Sequence, residues 1–517
     1  MTHVPVFSTA HPLGEVPGDA FSDVSLMTPE GSLAVRWEPE AATSTLGLVG
    51  FFIEFLHTTG LWKSLIERCP VKRSSPNAPD NTTAIGSVLL TVLSGGNRYR
   101  HSEALRGDRI TPEMLGMNRM LSVDAIRRFV ASASEEPAGQ SWLADLLQET
   151  LEPAMVQGPW IMDLDSTVVT VYGKQEGTAV GYNPTKRGRP SYSYHTFMMG
   201  QLRLPIDVEA LPGNESHGSH AAHALWHLLD HRLPPAAHPW CIRGDISYGN
   251  ETYLTGCEQR RKDFLFKLKQ TKKIKALCDD VSVLPTDWEP AGHGWQGRES
   301  VAKLDGWSQE RRIIILRKPT NRPTPQNDLP TQQTILVAEL CPDDDGYEYA
   351  VLITSLKHSV PTIAQFYRDR ADCENNFADL KNDWSWGGFT TQHRGRNQFM
   401  ARFTALVYTW WNIFVRQFSP EAHREGHVSR PVLLYGVARR TEHAGRKTLH
   451  ITSLHAKASA IMHACNAVSR RIKELAKQTA TQLVNPNEKK PWHHIIAVIF
   501  QTIAQKKYGP QLHLLPQ

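Results

Sequence analysis

The sequence predicts an α/β fold in which a core of strands and helices lies between two helical regions. Three observations support this prediction. Residues 46–150 show helical periodicity, the sequence after Pro153 changes to β-branched and aromatic segments, and helical periodicity returns after Pro361. A chain of 517 residues, 40% of them hydrophobic, is long enough to form several domains.

The N-terminal part of the chain has two predicted sections. Residues 1–45 are rich in Pro, Gly, Ser and Thr and are locally acidic, which is typical of an irregular arm. Residues 46–150 are predicted to form an α-helical DNA-binding region. Its last segment has Ser122 as a plausible N-cap, followed by Arg127 and Arg128 in the second turn. This segment is either a recognition helix for a DNA groove or an ordinary packing helix.

The core is predicted in two parts that an insertion separates. Residues 151–269 contain the strand-like segments WIMDLDSTVVTVYG, YSYHTFMMG and HPWCIRGD, with short helices between them. Residues 270–355 contain strands separated by Pro, Gly, Asn and Asp, without a long helix, and indicate a β-rich insertion. Residues 356–420 complete the core, and residues 421–517 are predicted to form a helical C-terminal region.

Composition and short motifs exclude several classes of protein. No stretch approaches the roughly 20 apolar residues of a membrane span, and the N-terminus lacks a signal peptide, so we expect a cytoplasmic protein without a membrane partner. The seven cysteines are scattered without a C-x-x-C pair, which excludes a disulfide framework and a cysteine-zinc module. Neither a P-loop nor a G-x-G-x-x-G motif occurs, so no nucleotide cofactor is expected.

The distribution of charge makes nucleic acid a candidate partner. The net charge is +5, yet residues 1–50 carry six acidic residues and one basic residue, so the rest of the chain is clearly basic. The basic residues form short blocks at 186–189, 260–275, 394–402 and 470–477. Such blocks either bind phosphates or form solvated helix faces.

A helix that begins near Pro361 carries the most informative spacing in the sequence. At about 100° per residue, four polar residues share one narrow face: Tyr367, Arg370, Glu374 and Lys381. An adjoining apolar face packs the helix and is formed by Phe366, Cys373, Phe377 and Leu380. The polar face is either a surface ladder of salt bridges or one wall of a site that other segments complete.

Carboxylates of two predicted strands are candidates to complete such a site. Asp163 and Asp165 alternate onto one side of a mostly apolar strand, where a carboxylate is costly unless it binds a cation or a neighbouring group. Asp245 follows another apolar strand, at the strand end where α/β proteins place ligands. Together with Glu374 they predict an all-oxygen site for two Mg²⁺ or Mn²⁺ ions, about 4 Å apart, that would serve phosphodiester chemistry.

The spacing Tyr367-x2-Arg370-x3-Glu374-x6-Lys381 resembles the Y-x2-R-x3-E-x6-K signature of one family of transposases. These are bacterial insertion-sequence transposases with a DDE, ribonuclease H-like catalytic domain. The segments DLDST at 163–167 and RGDISYGNE at 243–251 are similar to the two aspartate blocks of that group. Residues 181–192, residues 304–317 and the RNQ after Gly395 are also similar, so the resemblance covers about residues 80–420.

The resemblance implies a function and a set of site residues. Asp165, Asp245 and Glu374 would be the metal ligands, with Asp163 as the alternative for the first. Phosphates of DNA would be bound by Tyr367, Arg370, Lys381, Lys186, Arg187 and Arg189. The enzyme would cut the terminal inverted repeats of an insertion sequence and join the freed 3′-hydroxyls to target DNA, working as a nucleoid-associated homodimer on two ends.

Further possibilities remain open at the level of sequence. Some relatives pass through a DNA hairpin that requires a base to be stacked on an aromatic residue of the insertion, for which Trp295 and Trp307 are candidates by position. A non-catalytic DNA-binding regulator and a metal-dependent structural nuclease are the alternative functions. Histidines at helical spacing between His217 and His231 indicate either a solvated helix face or a metal site.

Overall fold

The computed structural model describes residues 24–320 and 346–508, except for gaps at 37, 39, 73–74, 76, 136, 216–219, 283–286, 421, 453–456 and 483–490. This part of the chain forms a mixed α/β structure. A ten-stranded sheet lies at its centre and helices pack against it. Among the described residues, no helix combines the length and the apolar character that crossing a bilayer requires.

The N-terminal section contains short strands as well as helices. An antiparallel hairpin is formed by β1 (Val24–Thr28) and β2 (Gly31–Val35), and β3 (Thr43–Ser44) follows. The irregular arm expected for residues 1–45 is therefore partly strand, and residues 1–23 lie outside the described part. The helices of this section are α1 (Val49–Thr58), α2 (Leu61–Glu67), α3 (Asn81–Leu93), α4 (Thr111–Met114), α5 (Val123–Glu135) and α6 (Pro137–Met155).

Local chemistry explains where α3 begins and why it is central to this section. The carboxylate of Asp80 accepts a hydrogen bond from the amide of Thr83 at 2.7 Å, which satisfies a donor of the first turn. Every residue from Thr83 to Leu93 is buried. A helix that is buried on all sides lies inside the domain, so α3 connects the neighbouring helices into one core.

The central sheet combines parallel and antiparallel strands. Its first half follows the spatial order β7, β6, β4, β8 and β9, in which β4, β8 and β9 are parallel and β6 is antiparallel to both of its long neighbours. These strands and a short β5 have the bounds β4 Ile161–Thr170, β5 Ala179–Val180, β6 Pro190–Met199, β7 Leu204–Pro212, β8 Cys241–Gly244 and β9 Asp263–Lys267. Helices α7 (His220–His227) and α8 (Glu251–Gln259) lie between them in the chain.

The β-rich stretch continues this sheet. Its last strand pairs antiparallel with β9, Leu352 opposite Lys267, so the sheet runs on through β13, β12, β11 and β10. Pairing of this kind covers an edge of β9 that would otherwise be open. Helix α9 (Lys272–Ser282) precedes the strands. The strands are β10 (Glu289–Gly292), β11 (Trp295–Ala302), β12 (Arg311–Pro319) and β13 (Tyr347–Thr354).

The helix expected after Pro361 is divided into two in the structure. The segments are α10 (Val360–Arg368) and α11 (Ala371–Asn382). At the join the amide of Arg370 donates to the carbonyl of Tyr367, three residues back, at 3.1 Å. This is the tighter spacing of a 3₁₀ turn, which a periodic pattern of side chains does not reveal.

A long buried helix, α12 (Arg394–Val415), connects the sheet to the N-terminal helices. The amide side chain of Gln398 accepts from Ala210 and donates to Val208, so it bonds the outer edge of β7. Asn397 accepts from the amide of Thr391 and thereby fixes the loop before the helix. The RNQ block therefore has a structural role, because it covers a sheet edge.

The C-terminal region contains a hairpin in addition to helices. Strands β14 (Val437–His443) and β15 (Arg446–Thr452) pair with each other, and β14 also pairs with β3. The flanking regions are thus not all-α as expected. Ala444 and Gly445 have φ angles of 48° and 76°, as a two-residue type I′ turn requires. The helices here are α13 (Gly426–Leu433), α14 (Ala458–Gln482) and α15 (Pro491–Tyr508).

Candidate active site

Two carboxylates lie on neighbouring parallel strands, Asp165 in the middle of β4 and Asp245 directly after the end of β8. In the register of β4 and β8, Asp163 is opposite Arg243 and Leu164 is opposite Gly244. One position beyond this last pair, β4 continues with Asp165 and the chain leaves β8 at Asp245, and both aspartates are close enough to Tyr248 to affect its pKa. Because side chains alternate along a strand, both project to the same side of the sheet. The fold therefore brings together two of the three carboxylates that the sequence singled out.

Asp163, the alternative first carboxylate, is engaged in a buried ion pair. Its Oδ2 accepts a hydrogen bond from Nη2 of Arg243 at 2.7 Å, and its Oδ1 accepts from Nε of the same guanidinium. Arg243 also donates to the carbonyl of Phe366 at the end of α10. A Cβ at Gly200 would lie 2.4 Å from Oδ2 of Asp163, so the backbone packs closely against the pair. Asp163 thus joins β4, β8 and α10.

Asp165 has a different environment, at the border between the sheet and α11. Its Oδ1 accepts from the amide of Ser166 at 2.7 Å, and its Oδ2 accepts from Nη1 of Arg370 at 2.9 Å. The side chains of Asp165 and Arg370 keep exposed fractions of 11% and 10%, whereas Asp163 has 1%. Solvent and ligands can therefore approach Asp165 more closely than Asp163.

Asp245 lies directly after β8 and is half-buried. Its Oδ1 accepts from the amide of Ser247 at 2.9 Å, which orients the carboxylate in the strand-to-loop turn. The ring of Tyr248 packs on Gly244, where a Cβ would lie 2.8 Å from the ring, so the residue before Asp245 must be glycine. Burial, and after it the neighbouring Tyr253 and the two aspartates, raise the pKa of Tyr248 well above its usual value, so this phenol stays neutral.

Helix α11 carries the third predicted carboxylate. Glu374 lies four residues after Arg370 on this helix, which is one turn, and its side chain is outside the described residues. Lys381 is two turns further along. Burial lowers the pKa of Lys381, and the charge of Asp165 acts in the opposite direction. Two cations at α11 therefore interact with the carboxylate of Asp165: Arg370 through a hydrogen bond and Lys381 through its charge.

The orientation of α11 is fixed by two aspartates that no sequence motif marks. Asp379 is fully buried and accepts hydrogen bonds from Nε2 of His423 and from the amide of Gly426, both at 3.1 Å. Asp383 accepts from the amide of His427 at 2.8 Å. These contacts connect α11 to the start of α13. No pattern in the sequence distinguishes Asp379 from a surface aspartate, because its partners lie more than 40 residues away in the chain.

The predicted phosphate ligands occupy two kinds of environment. Arg370 is buried against Asp165, and its guanidinium carbon lies 5.7 Å from the ring centroid of the half-buried Tyr367. In contrast, Lys186, Arg187 and Arg189 are all exposed on one loop before β6. This basic loop, residues 184–189, is held in shape by hydrogen bonds from its amides to Asn183. Its positive charges are therefore available to a phosphate backbone.

Trp295 and Trp307, the two candidates for stacking on a DNA base, are not exposed on the surface. Trp307 is buried, and the guanidinium of Arg311 lies 5.4 Å from its ring centroid. Trp295 is half-buried and packs against the apolar cluster that contains Leu316 and Val360. In the structure described here both side chains are packed against the protein.

The histidine series lies on an exposed helix face. His223, His227 and His231 follow each other with ring centroids 6.5 and 5.1 Å apart, while His217 and the side chain of His220 are outside the described residues. Burial and then the neighbouring His231 lower the pKa of His227. Among the described side chains, no three His, Cys, Asp or Glu residues are close enough to form a metal site.

Comparisons with known proteins assign the chain to a family. The family model described as transposase DDE domain group 1 matches residues 31–473. The match spans most of the chain, and the protein belongs to this family of DDE transposases. No curated protein matches the chain.

A similar solved structure is described as the cryo-EM structure of piggyBac transposase synaptic complex with hairpin DNA. The sequence identity is 10% and the TM-score is 0.40. The alignment covers 88% of this chain and 85% of that chain. This likeness is distant.

Proposed function

We propose that the protein is the transposase of a bacterial insertion sequence. It cuts the DNA at the ends of the element and joins the freed 3′-hydroxyls to target DNA by phosphoryl transfer, with Asp165, Asp245 and Glu374 as the catalytic carboxylates. One observation carries this proposal. Asp165 and Asp245 each come one position after the last pair between β4 and β8, and Arg370, directly before the helix that carries Glu374, donates a hydrogen bond to Asp165.

The order of the strands supports a ribonuclease H-like core. Three antiparallel strands, β7, β6 and β4, are followed by β8 and β9 parallel to β4. Asp245 lies directly after the carboxyl end of β8, where parallel strands of α/β proteins place their ligands, and Asp165 lies on the neighbouring strand β4. The proposal therefore rests on topology and on the position of the carboxylates in it.

The donor atoms fit two divalent cations, Mg²⁺ or Mn²⁺. Asp165 and Asp245 offer carboxylate oxygens, which are the ligands that these hard cations prefer, and Glu374 would add a third carboxylate. Such ions lower the pKa of a bound water or 3′-hydroxyl and stabilise the oxygen that leaves. Asp163 is not assigned as a ligand, because its ion pair with Arg243 is in the protein interior and its side chain is only 1% exposed, against 11% for Asp165.

The remaining side chains of the site have positioning roles in this proposal. Arg370 orients Asp165 and balances part of its charge. Lys381 and the basic loop bind DNA phosphates on the approach to the carboxylates. Two copies of the chain would hold the two terminal repeats at once, so that both ends reach one target DNA.

A joining assay tests the proposal. A plasmid that carries the repeats flanking the gene is incubated with the protein and Mg²⁺ or Mn²⁺, and joined products are counted. Replacing even an outer-shell partner of a metal ligand reduces activity about 10–100-fold, so Glu374→Gln is expected to reduce joining by more than about a hundredfold.

The matched control is Asp369→Asn, which removes an exposed carboxylate near the same helix. It is expected to join ends like the wild type. Repeat-specific binding by the wild type without cleavage in either metal would contradict the proposal and favour a DNA-binding regulator. Cleavage of branched DNA without joining would instead favour a structural nuclease.

A further inference from the structure

A second feature of the molecule is a cleft next to the candidate active site. It has a volume of about 750 Å³ and lies between residues 97–100, α5, the end of β4 and residues 381–390. The range of ordinary ligand pockets is about 300–1,000 Å³, so a small organic unit fits inside. The proposed function does not account for this cleft.

All charged residues among the described lining of the cleft are basic. Arg98, Arg100, Arg127 and Lys381 line it, and none of the described lining residues is acidic. The four cations come from three separate parts of the chain, and three of them are exposed arginines. The guanidinium of Arg127 lies 5.9 Å from the ring centroid of Tyr99 at the base of the cleft. A concave surface of this kind attracts a polyanion.

One wall of the cleft consists of closely packed backbone in which larger side chains would not fit. Ser385 and Phe389 have φ angles of 54° and 55°, a conformation that side chains with a Cβ rarely adopt. A Cβ at Gly388 would lie 2.6 Å from the carbonyl oxygen of Asn97. The same carbonyl accepts a hydrogen bond from the amide of Phe389 at 2.8 Å. The wall is therefore tied to the turn that carries Arg98 and Arg100, and strained backbone of this kind is frequent at binding sites.

An aromatic ring lies at the rim of the cleft. Tyr172, just beyond the end of β4, is 70% exposed. The guanidinium carbon of Arg189, from the basic loop, lies 5.7 Å from its ring centroid. An exposed aromatic ring beside cations is the arrangement with which proteins stack a nucleic-acid base and hold its phosphate.

The cleft and the candidate active site are both related to Lys381 on α11. This side chain lines the cleft, and its ammonium group also interacts with the carboxylate of Asp165. A DNA strand held in the cleft would thus extend toward the carboxylates. This inference rests on the proposed function, because it takes DNA as the substrate of that site.

We propose that the cleft binds a single-stranded segment of DNA next to the cut site. Its phosphates contact Arg98, Arg100 and Arg127, and one base stacks on Tyr172. A volume of about 750 Å³ is in the range of pockets for small organic ligands, which is the scale of unpaired nucleotides. Unpaired nucleotides have the size, the negative charge and the flat apolar faces that the lining accommodates.

The test compares two probes by fluorescence anisotropy without divalent metal, so that no cleavage occurs. One probe is a fluorescein-labelled oligothymidylate, and the other is a blunt duplex with the same label. Tyr172→Ala is expected to weaken binding of the single strand about tenfold and to change binding of the duplex less than about twofold. Tyr172→Phe keeps the ring and is expected to bind like the wild type.

Two matched controls separate the cleft from the general surface. Tyr182 is equally exposed, at 73%, but does not line the cleft, and Tyr182→Ala is expected to leave both affinities unchanged. Arg127→Ala, on α5, is expected to reduce the slope of log K against log salt concentration for the single strand by about one, because one phosphate contact is lost. Arg128→Ala, on the same helix, is expected to leave this slope unchanged. Melting temperatures of all variants confirm that each is folded.

The outcomes distinguish this inference from the proposed function. If the wild type joins ends but Tyr172→Ala and Tyr182→Ala bind the single strand alike, the cleft assignment is overturned and the transposase proposal stands. An equal loss for both probes also overturns it. If Tyr172→Ala selectively loses the single strand while the wild type never cleaves, the cleft assignment holds and the catalytic proposal fails.

Discussion

Asp163 and Asp165 are two residues apart on one strand, project to the same side and have different electrostatic surroundings. Arg243 binds both oxygens of Asp163 in the protein interior, while Asp165 shares its carboxylate between a backbone amide and Arg370 near the surface. A buried ion pair contributes mainly through the penalty that follows when one partner is lost. Asp163 is thus assigned to stability, while a role of Asp165 in chemistry is part of the proposal.

This assignment predicts a difference in unfolding. Asp163→Asn leaves Arg243 charged and buried, so we expect it to lower the free energy of unfolding by about 3–5 kcal/mol. Asp369→Asn changes an exposed carboxylate and is expected to shift it by less than about 0.5 kcal/mol. Urea titrations followed by tryptophan fluorescence measure both. Equal midpoints for the two variants would contradict the structural role of Asp163.

Residue types and strand alternation were sufficient to place the aspartates near each other, because a carboxylate on an apolar strand needs a partner. The partner of Asp163 was not predictable. Arg243 and Asp163 are 80 positions apart in the chain, and only the register of β4 and β8 sets them opposite each other. The roles of Asp165, Asp245 and Glu374 in catalysis remain predictions.

At the scale of elements, β12 is attached to α8 by a charged cluster, in addition to the backbone pairing of the sheet. Arg311 at the start of β12 donates to Glu251 and Glu258 on α8 through contacts of 2.6 Å. Burial acts against ionisation of Glu251, but the hydrogen bonds from Arg311 and Ser308 lower its pKa to about 2. The same arginine lowers the pKa of Glu258.

The depressed pKa values predict a loss of stability in acid. A carboxyl group with a lowered folded-state pKa contributes stability above its unfolded pKa, and this contribution is lost as the pH falls toward the folded value. For Glu251 the window runs from about pH 4.5 down to about pH 2. We expect the melting temperature of the wild type to fall more steeply across this window than that of Arg311→Met. Parallel pH profiles for the two proteins would exclude this contribution.

The limits of sequence-based prediction are also clearest for elements. The helix after Pro361 was predicted as one segment, because a 3₁₀ turn at Arg370 hardly disturbs the helical pattern of side chains. The hairpin of β14 and β15 was missed, because Ala438 is its one fully buried residue in the described part and no alternation of apolar residues marks the strands. The pairing of β13 with β9 depends on contacts between distant segments, which periodicity does not contain.

At the scale of the whole molecule, the membership in a DDE transposase family confirms the resemblance seen in the sequence at that level. The assignment to an insertion-sequence group stays a proposal. Basic side chains form an extended surface that includes the basic loop and the cleft. Arg189 of the loop lies over Tyr172 at the rim of the cleft, and Lys381 lies in its lining. DNA affinity on such a surface depends on the release of counterions.

This surface predicts a graded response to salt. Lys186→Ala is expected to reduce the slope of log K against log salt concentration for duplex DNA by about one, since one phosphate contact is lost. Lys63→Ala removes an exposed lysine on α2 that pairs with Glu67, and is expected to leave the slope unchanged. Fluorescence anisotropy at several salt concentrations gives both slopes. A decrease of the same size in both variants would show that the basic loop has no special contact with DNA.

The pairing of β3 with β14 joins two ends of a long polypeptide. Thr43 lies opposite Arg439, the amide of Gly47 donates to the carbonyl of Gly436, and Lys473 reaches Glu54 on α1. During synthesis the segment near residue 43 leaves the ribosome long before its partner exists. The contacts of β3 and α1 with β14 and α14 therefore form only after these later segments have been synthesised. A chain that ended before β14 would contain Asp165, Asp245 and Glu374 but lack the strand that pairs with β3, so its N-terminal part would be incompletely packed.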